Sequence, residues 1–251
     1  MIALGTEMCL YCPPGQERRG ILNFHGFQNV TLLDYPGKVA STVFLGGCNF
    51  RCPFCHNGTL VVNPNRYQTI SDTEVLEYLR SKSKVLDGVC VTGGEPLLYD
   101  IEPFLQEVKQ IGLLVKIDHN GTKPEKLQQL IEHRLVDFVA VDIKNSPQKY
   151  SQTIGVPNFD LKPVQRTIDL LRDGAVDYEF RTTVVKGLHD ADDFPDIGKM
   201  IEGANQYFLQ QYVDSGDILH NNNFSSYTQL EMQQFVDIIK PYVPNTHVRG
   251  I

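Results

Sequence analysis

The sequence predicts an α/β fold: a partial (β/α)6 barrel of the TIM type, open on one side. Three observations predict it. Six apolar strand-like runs alternate with amphipathic helix-like runs, the pattern of a parallel sheet with helices outside. Three successive runs carry charge near their C-terminal ends, where barrel catalytic groups lie. The repeats are fewer than the eight a closed barrel needs.

The strand candidates are KVASTVFLGG (38–47), LDGVCVTGG (86–94), LLVKIDHNG (113–121), VDFVAVDIK (136–144), VDYEFRTTVV (176–185) and NQYFLQQYV (205–213). The intervening helices have start and stop signals. Ser71 stands three residues before Glu74, a capping box. Gly112 is placed to end the helix of 99–112. Pro124 falls in the first turn of the next. Further helices are expected over 161–174, 190–203 and 227–240.

Period-two alternation chooses between a barrel and a doubly wound sheet. In FVAVDIK it puts Phe138, Ala140, Asp142 and Lys144 on one face and Val139, Val141 and Ile143 on the other. Leu114, Lys116, Asp118 and Asn120 share a face, as do Glu179, Arg181 and Thr183. Strands covered by helices on both faces read as near-continuous apolar runs. One polar face per strand fits a barrel whose upper interior is a site.

The chain has 251 residues, enough for one large domain or two small ones. Residues 1–20, turn-rich and then charged, read as a poorly ordered extension before a domain over 21–251. The extension lacks a basic segment followed by an apolar one, so no export leader is expected. No apolar run reaches the ~20 residues of a membrane helix. A formal net charge of −7 weighs against nucleic acid or an anionic membrane as partner. Six cysteines without a leader point to the cytoplasm, where clustered thiols mean metal or catalysis more often than disulfides.

Three of the six stand together as Cys48-x-x-x-Cys52-x-x-Cys55, directly after a strand. Structural zinc takes four ligands, and His56 adjoins Cys55 too closely to converge on one ion with it. A [4Fe–4S] cubane is held by thiolates, normally four. Three leave one iron open to a ligand that is not protein. Cys90 reads as a buried small hydrophobe, and the Cys9/Cys12 pair as part of the extension.

The triplet, with Phe54 as the aromatic before its last cysteine, resembles the signature of radical S-adenosylmethionine enzymes. Residues 26–57, GFQNVTLLDYPGKVASTVFLGGCNFRCPFCHN, are similar to the glycyl-radical-enzyme activases. Within that group the resemblance is to the activating proteins of anaerobic ribonucleoside-triphosphate reductase and to pyruvate formate-lyase activases. It runs from about residue 24 to the C-terminus. It implies Cys48, Cys52 and Cys55 as cluster ligands and S-adenosylmethionine as the outside ligand. It implies that Gly93, Gly94 and Glu95 of VTGGEP hold the methionyl amine. It places Phe54, Asp118, Asn120, Asp142, Lys144 and Arg181 at the cofactor.

Two points depart from that pattern. His119 stands where the family has threonine, either as a ligand-side donor or as a packed core histidine. The family's histidine near the sixth strand's end is missing, leaving Gln210, Gln211 or Tyr212 to contact the adenosyl part. Asp118 and Asp142 facing one cavity would repel unless a cation, a proton or Lys144 lay between them, so a bound monovalent cation is one expectation.

The expected function is hydrogen abstraction from a glycine of a partner glycyl-radical enzyme, anaerobic ribonucleotide reductase first. A flavodoxin- or ferredoxin-type protein would supply the electron. No long stretch is left over for a substrate domain, which fits a protein substrate. A radical enzyme acting on a small molecule such as a deazapurine precursor is the alternative. A non-enzymatic zinc or electron-transfer protein is a second.

Overall fold

The computed structural model describes residues 22–174, 176–214, 216–219 and 224–250. The expected extension, with Cys9 and Cys12, lies outside the described residues.

Among the described residues there are ten strands: β1 (Asn23–Phe24), β2 (Gly26–Thr31), β3 (Ala40–Leu45), β4 (Ile70–Ser71), β5 (Gly88–Gly93), β6 (Leu114–His119), β7 (Phe138–Asp142), β8 (Asp177–Val184), β9 (Tyr207–Gln211) and β10 (Thr246–Arg249). The α-helices are α1 (Gly58–Val62), α2 (Asp72–Lys82), α3 (Glu102–Ile111), α4 (Pro124–Glu132), α5 (Tyr150–Ile154), α6 (Lys162–Arg172), α7 (Phe194–Met200) and α8 (Gln229–Ile239). Strands β1 and β4 form a small antiparallel pair. The other eight form one sheet in the order β10-β9-β8-β7-β6-β5-β3-β2.

From β3 to β10 the order follows the chain without reversing, and every pairing is parallel. Crossovers of one hand that never reverse put the helices on one face. The helices pack in succession, α2 on α3, α4 on α6 and α7 on α8. The opposite face is free to become a site. The sheet does not close, since β2 and β10 remain at opposite edges.

Each of the six expected strands contains an observed one. Two more extend the sheet: β2, antiparallel to β3, and β10, parallel to β9. The sequence reading missed both. The central residues of β2 are exposed and β10 is four residues long, so neither shows a buried apolar run.

Local signals act as expected. The Ser71 hydroxyl accepts the Glu74 N–H while Glu74 accepts the Ser71 N–H, a complete capping box at α2. Gly112 ends α3 in the left-handed conformation, φ 90°. Among α2, α3, α4, α6 and α8, residues three or four apart are buried, such as Val164, Thr167, Ile168 and Leu171 of α6. They meet Val89, Val115, Val139 and Phe180 of the strands in one core.

Candidate active site

Residues 46–57 leave the C-terminal end of β3 and cross the top of the sheet. Backbone bonds anchor them: Gly47 N–H to Leu60 O at 2.9 Å and Arg51 N–H to Ile154 O at 2.8 Å. The Asn57 amide donates to Gly93 O at 3.0 Å. The Gly93–Gly94 pair is required by close approach to this segment. A Cβ on Gly94 would lie 1.8 Å from Gly47 O, and one on Gly93 2.3 Å from Leu45 O.

Cys48, Cys52 and Cys55 line one cavity of about 160 Å³ at the strands' C-terminal ends. Burial pushes the Cys48 thiol up to about 11, the Cys52 thiol up to about 12, and Cys55 in the same direction. The Lys144 ammonium acts against this at all three. Cys48 Sγ accepts the Phe50 N–H at 3.3 Å. Among the described residues, no three His, Cys, Asp or Glu side chains are grouped to hold a single metal ion.

A charged row faces the thiols. Asp142 ends β7 directly opposite Arg181 of β8. Arg181 donates through Nε to Asp142 Oδ1 and through Nη1 to Asp118 Oδ2, both at 2.9 Å. Lys144 Nζ donates to Asp142 Oδ2 at 3.0 Å, and Lys116 Nζ to Asp118 Oδ1. Burial raises both carboxyls, but Arg181 and the lysines outweigh it and hold them below the usual range. For Lys144 burial acts downward, and Asp142 and the nearby thiols raise it further than that.

Phe54, Gly93, Gly94, Asp118, Asn120, Asp142, Lys144 and Arg181 all border the same cavity. Glu95 does not. Its side chain is wholly buried, and its carboxylate accepts the N–H of Leu97 at 2.9 Å and of Asn120 at 2.8 Å. It supports the strand ends rather than offering charge to a ligand. Gln210, Gln211 and Tyr212 are also absent from the cavity wall, and the Gln211 amide donates to Tyr227 O at 2.6 Å.

His119 is buried, and its Nδ1 accepts the Gly121 N–H at 3.1 Å, which places the ring proton on Nε2. Burial pushes it down to about 4, so it is neutral at physiological pH. Asn120 donates to Asn49 Oδ1 at 2.8 Å and accepts from Thr122 Oγ1 at 2.7 Å.

The sequence reading assigned no role to Phe50, Asn57, Thr92 or Thr183, which also line the cavity. Thr183 shares the alternating face of Glu179 and Arg181, a signal that was present. Asn57 carries none beyond its nearness to Cys55.

An unclosed, mostly parallel sheet with three thiols and a charged row at its C-terminal end defines a class of metal-cofactor enzyme. Residues 42–201 match the model of the radical SAM superfamily. The chain belongs to that superfamily and is an enzyme of this kind, a class that uses a [4Fe–4S] cluster and S-adenosylmethionine. It is 30% identical over 235 residues to a Methanocaldococcus jannaschii protein provisionally named a glycyl-radical enzyme activating enzyme, covering 90% of this chain and 95% of that one. It is 27% identical over 232 residues to the pyruvate formate-lyase-activating enzyme of Staphylococcus epidermidis, covering 88% and 86%. In fold it is similar to Escherichia coli QueE, with TM-score 0.54 and 14% identity, over 92% of this chain and 95% of that one.

Proposed function

We propose that the protein is a glycyl-radical-enzyme activase, with anaerobic ribonucleotide reductase as its partner. The observation that carries the reading is the set of three thiols, Cys52 buried and Cys48 and Cys55 half-buried, that share one cavity with Lys144 and Arg181 at an open barrel end. The donor set fits the group: three thiols spread around a cavity suit separate irons of a cubane better than one ion. Cys48, Cys52 and Cys55 would hold the cluster. When bound, the cluster and S-adenosylmethionine supply a 5′-deoxyadenosyl radical.

The chain's own residues would bind and orient. Lys116, Lys144 and Arg181 stand against the carboxylates of Asp118 and Asp142, a surplus of one positive charge. That surplus suits the carboxylate of the methionyl group, with Lys144 beside it. The Gly93–Gly94 backbone, bordering the cavity, suits its amine. Phe50, Phe54 and Val61 give the site an apolar wall that excludes water.

A protein substrate is supported by the unclosed sheet and by the names of the two relatives. The reductase is favoured by the resemblance of residues 26–57. A glycine loop entering the open side would have to order there. A flavodoxin- or ferredoxin-type reductant follows from the need for a single low-potential electron.

The test is to load the cluster anaerobically, reduce it, add S-adenosylmethionine and measure 5′-deoxyadenosine. Candidate glycyl-radical enzymes are then added and electron paramagnetic resonance recorded. A glycine-centred doublet on the anaerobic reductase is expected. Cleavage with no doublet on any candidate would transfer the reading to a small-molecule substrate.

A further inference from the structure

We propose that Arg181 is a built-in counter-cation that fixes Asp118 and Asp142 together, so that the site needs no monovalent metal ion. Two carboxylates facing one cavity need positive charge between them. Here the guanidinium lies between them, with one nitrogen 2.9 Å from each. Lys116 takes the remaining oxygen of Asp118, and Lys144 that of Asp142 at 3.0 Å. Every carboxylate oxygen therefore already has a cationic partner. A potassium or sodium ion would have to share each oxygen with a cation already in place.

The strand register makes the bridge. Asp118 on β6 pairs with Ala140 on β7, which pairs with Glu179 on β8. Arg181 must therefore cross β7 to reach Asp118, and Ala140 offers only a methyl group in its way. Glu179, the other carboxylate near Arg181, is 3.9 Å from it and is held by Arg249 through two contacts of 2.9 Å. The guanidinium is thus left to the two aspartates. A planar fork can bridge two carboxylates at a set separation, which a spherical ion or an ammonium does less well. Arg181 is a positioning residue, acting on the cofactor cavity through Asp118 and Asp142. Only its effect on S-adenosylmethionine binding rests on the function proposed above.

The experiment compares wild type with Arg181→Ala in potassium, sodium, guanidinium or choline chloride at equal, low ionic strength. Thermal unfolding is read without S-adenosylmethionine, and S-adenosylmethionine affinity by calorimetry on cluster-loaded protein. Wild type is expected to give the same values in all four salts. In choline, Arg181→Ala is expected to bind about tenfold more weakly or worse and to unfold earlier. Potassium, sodium or guanidinium should recover both. Wild-type binding that strengthens in potassium or sodium would overturn the proposal, as would an Arg181→Ala protein indifferent to all four salts. If Arg181→Ala does not fold, Arg181→Lys replaces it: a smaller response in the same direction supports the proposal and none overturns it. Wild type that binds no S-adenosylmethionine in any salt would sink the functional reading, while cation-dependent unfolding of the variant would still uphold the counter-cation.

Discussion

The Glu95 carboxylate accepts the backbone N–H of Asn120 at 2.8 Å, joining the segments that follow β5 and β6. Its other oxygen takes the Leu97 N–H at 2.9 Å. Asn120 in turn donates to Asn49 at 2.8 Å and stands 3.7 Å from the Cys48 sulfur. One buried acid thus supports two strand ends and, through them, the cysteine segment. Glu95→Ala leaves two buried N–H groups without partners. It is expected to lower the unfolding free energy by about 2–4 kcal/mol and to loosen cluster retention. Urea denaturation and iron content check this.

The same residue has a pH signature. Burial raises the Glu95 carboxyl from 4.5 to about 7, against the pull of the Asn120 and Leu97 N–H groups. Between those values the folded protein keeps a proton that the unfolded chain has released. This group's contribution to stability therefore falls as pH rises from about 4.5 to 7. Glu95→Gln removes that component, so its stability relative to wild type should improve across the interval. A constant difference in denaturation curves at matched cluster content would refute the assignment.

Gly94→Ala is expected to cost about 3 kcal/mol or more, because its Cβ would meet the Gly47 carbonyl oxygen at 1.8 Å. The displaced segment carries Cys48, so cluster content should fall with stability. Gly37→Ala is the control. Unlike Gly94 it lies in the left-handed conformation, φ 68°, and its Cβ would meet nothing within 4 Å. Its cost is expected near 1–2 kcal/mol, with cluster content unchanged.

Alanine at Cys48, Cys52 or Cys55 should each abolish cluster assembly and cleavage of S-adenosylmethionine. Cys90→Ala should keep both. Cys90 is wholly buried in β5, its sulfur 3.7 Å from Asp118 Oδ1, and it does not border the cavity. Its loss is expected to cost about 1–2 kcal/mol of stability. Iron content and 5′-deoxyadenosine yield separate the two outcomes.

Ser71→Ala removes half of the capping box at α2, remote from the cavity. A loss of about 1 kcal/mol with unchanged cleavage is expected. A matching fall in cleavage per cluster would show that α2 communicates with the site.

The sequence showed what local physics encodes. Alternation put Asp118, Asp142 and Arg181 on interior faces because a strand's side chains alternate regardless of its neighbours. The box at Ser71 and the stop at Gly112 need only a few adjacent residues. Strands β2 and β10 were missed because edge strands need no buried apolar run. The resemblance implies that Glu95 helps to hold a ligand amine, and nothing in VTGGEP tells that its carboxylate turns to Leu97 and Asn120 instead.

By itself the sequence determined the repeating strands and helices, the spacing of the three thiols and the kinds of charge lining the interior. Tertiary structure alone decided which charge answers which. Arg181 meets Asp118 across 63 residues of chain and Asp142 across 39. Those partnerships depend on the register of parallel strands and on the small side chain of Ala140 between them. Register is set by packing of the whole sheet, so no short stretch of sequence contains it.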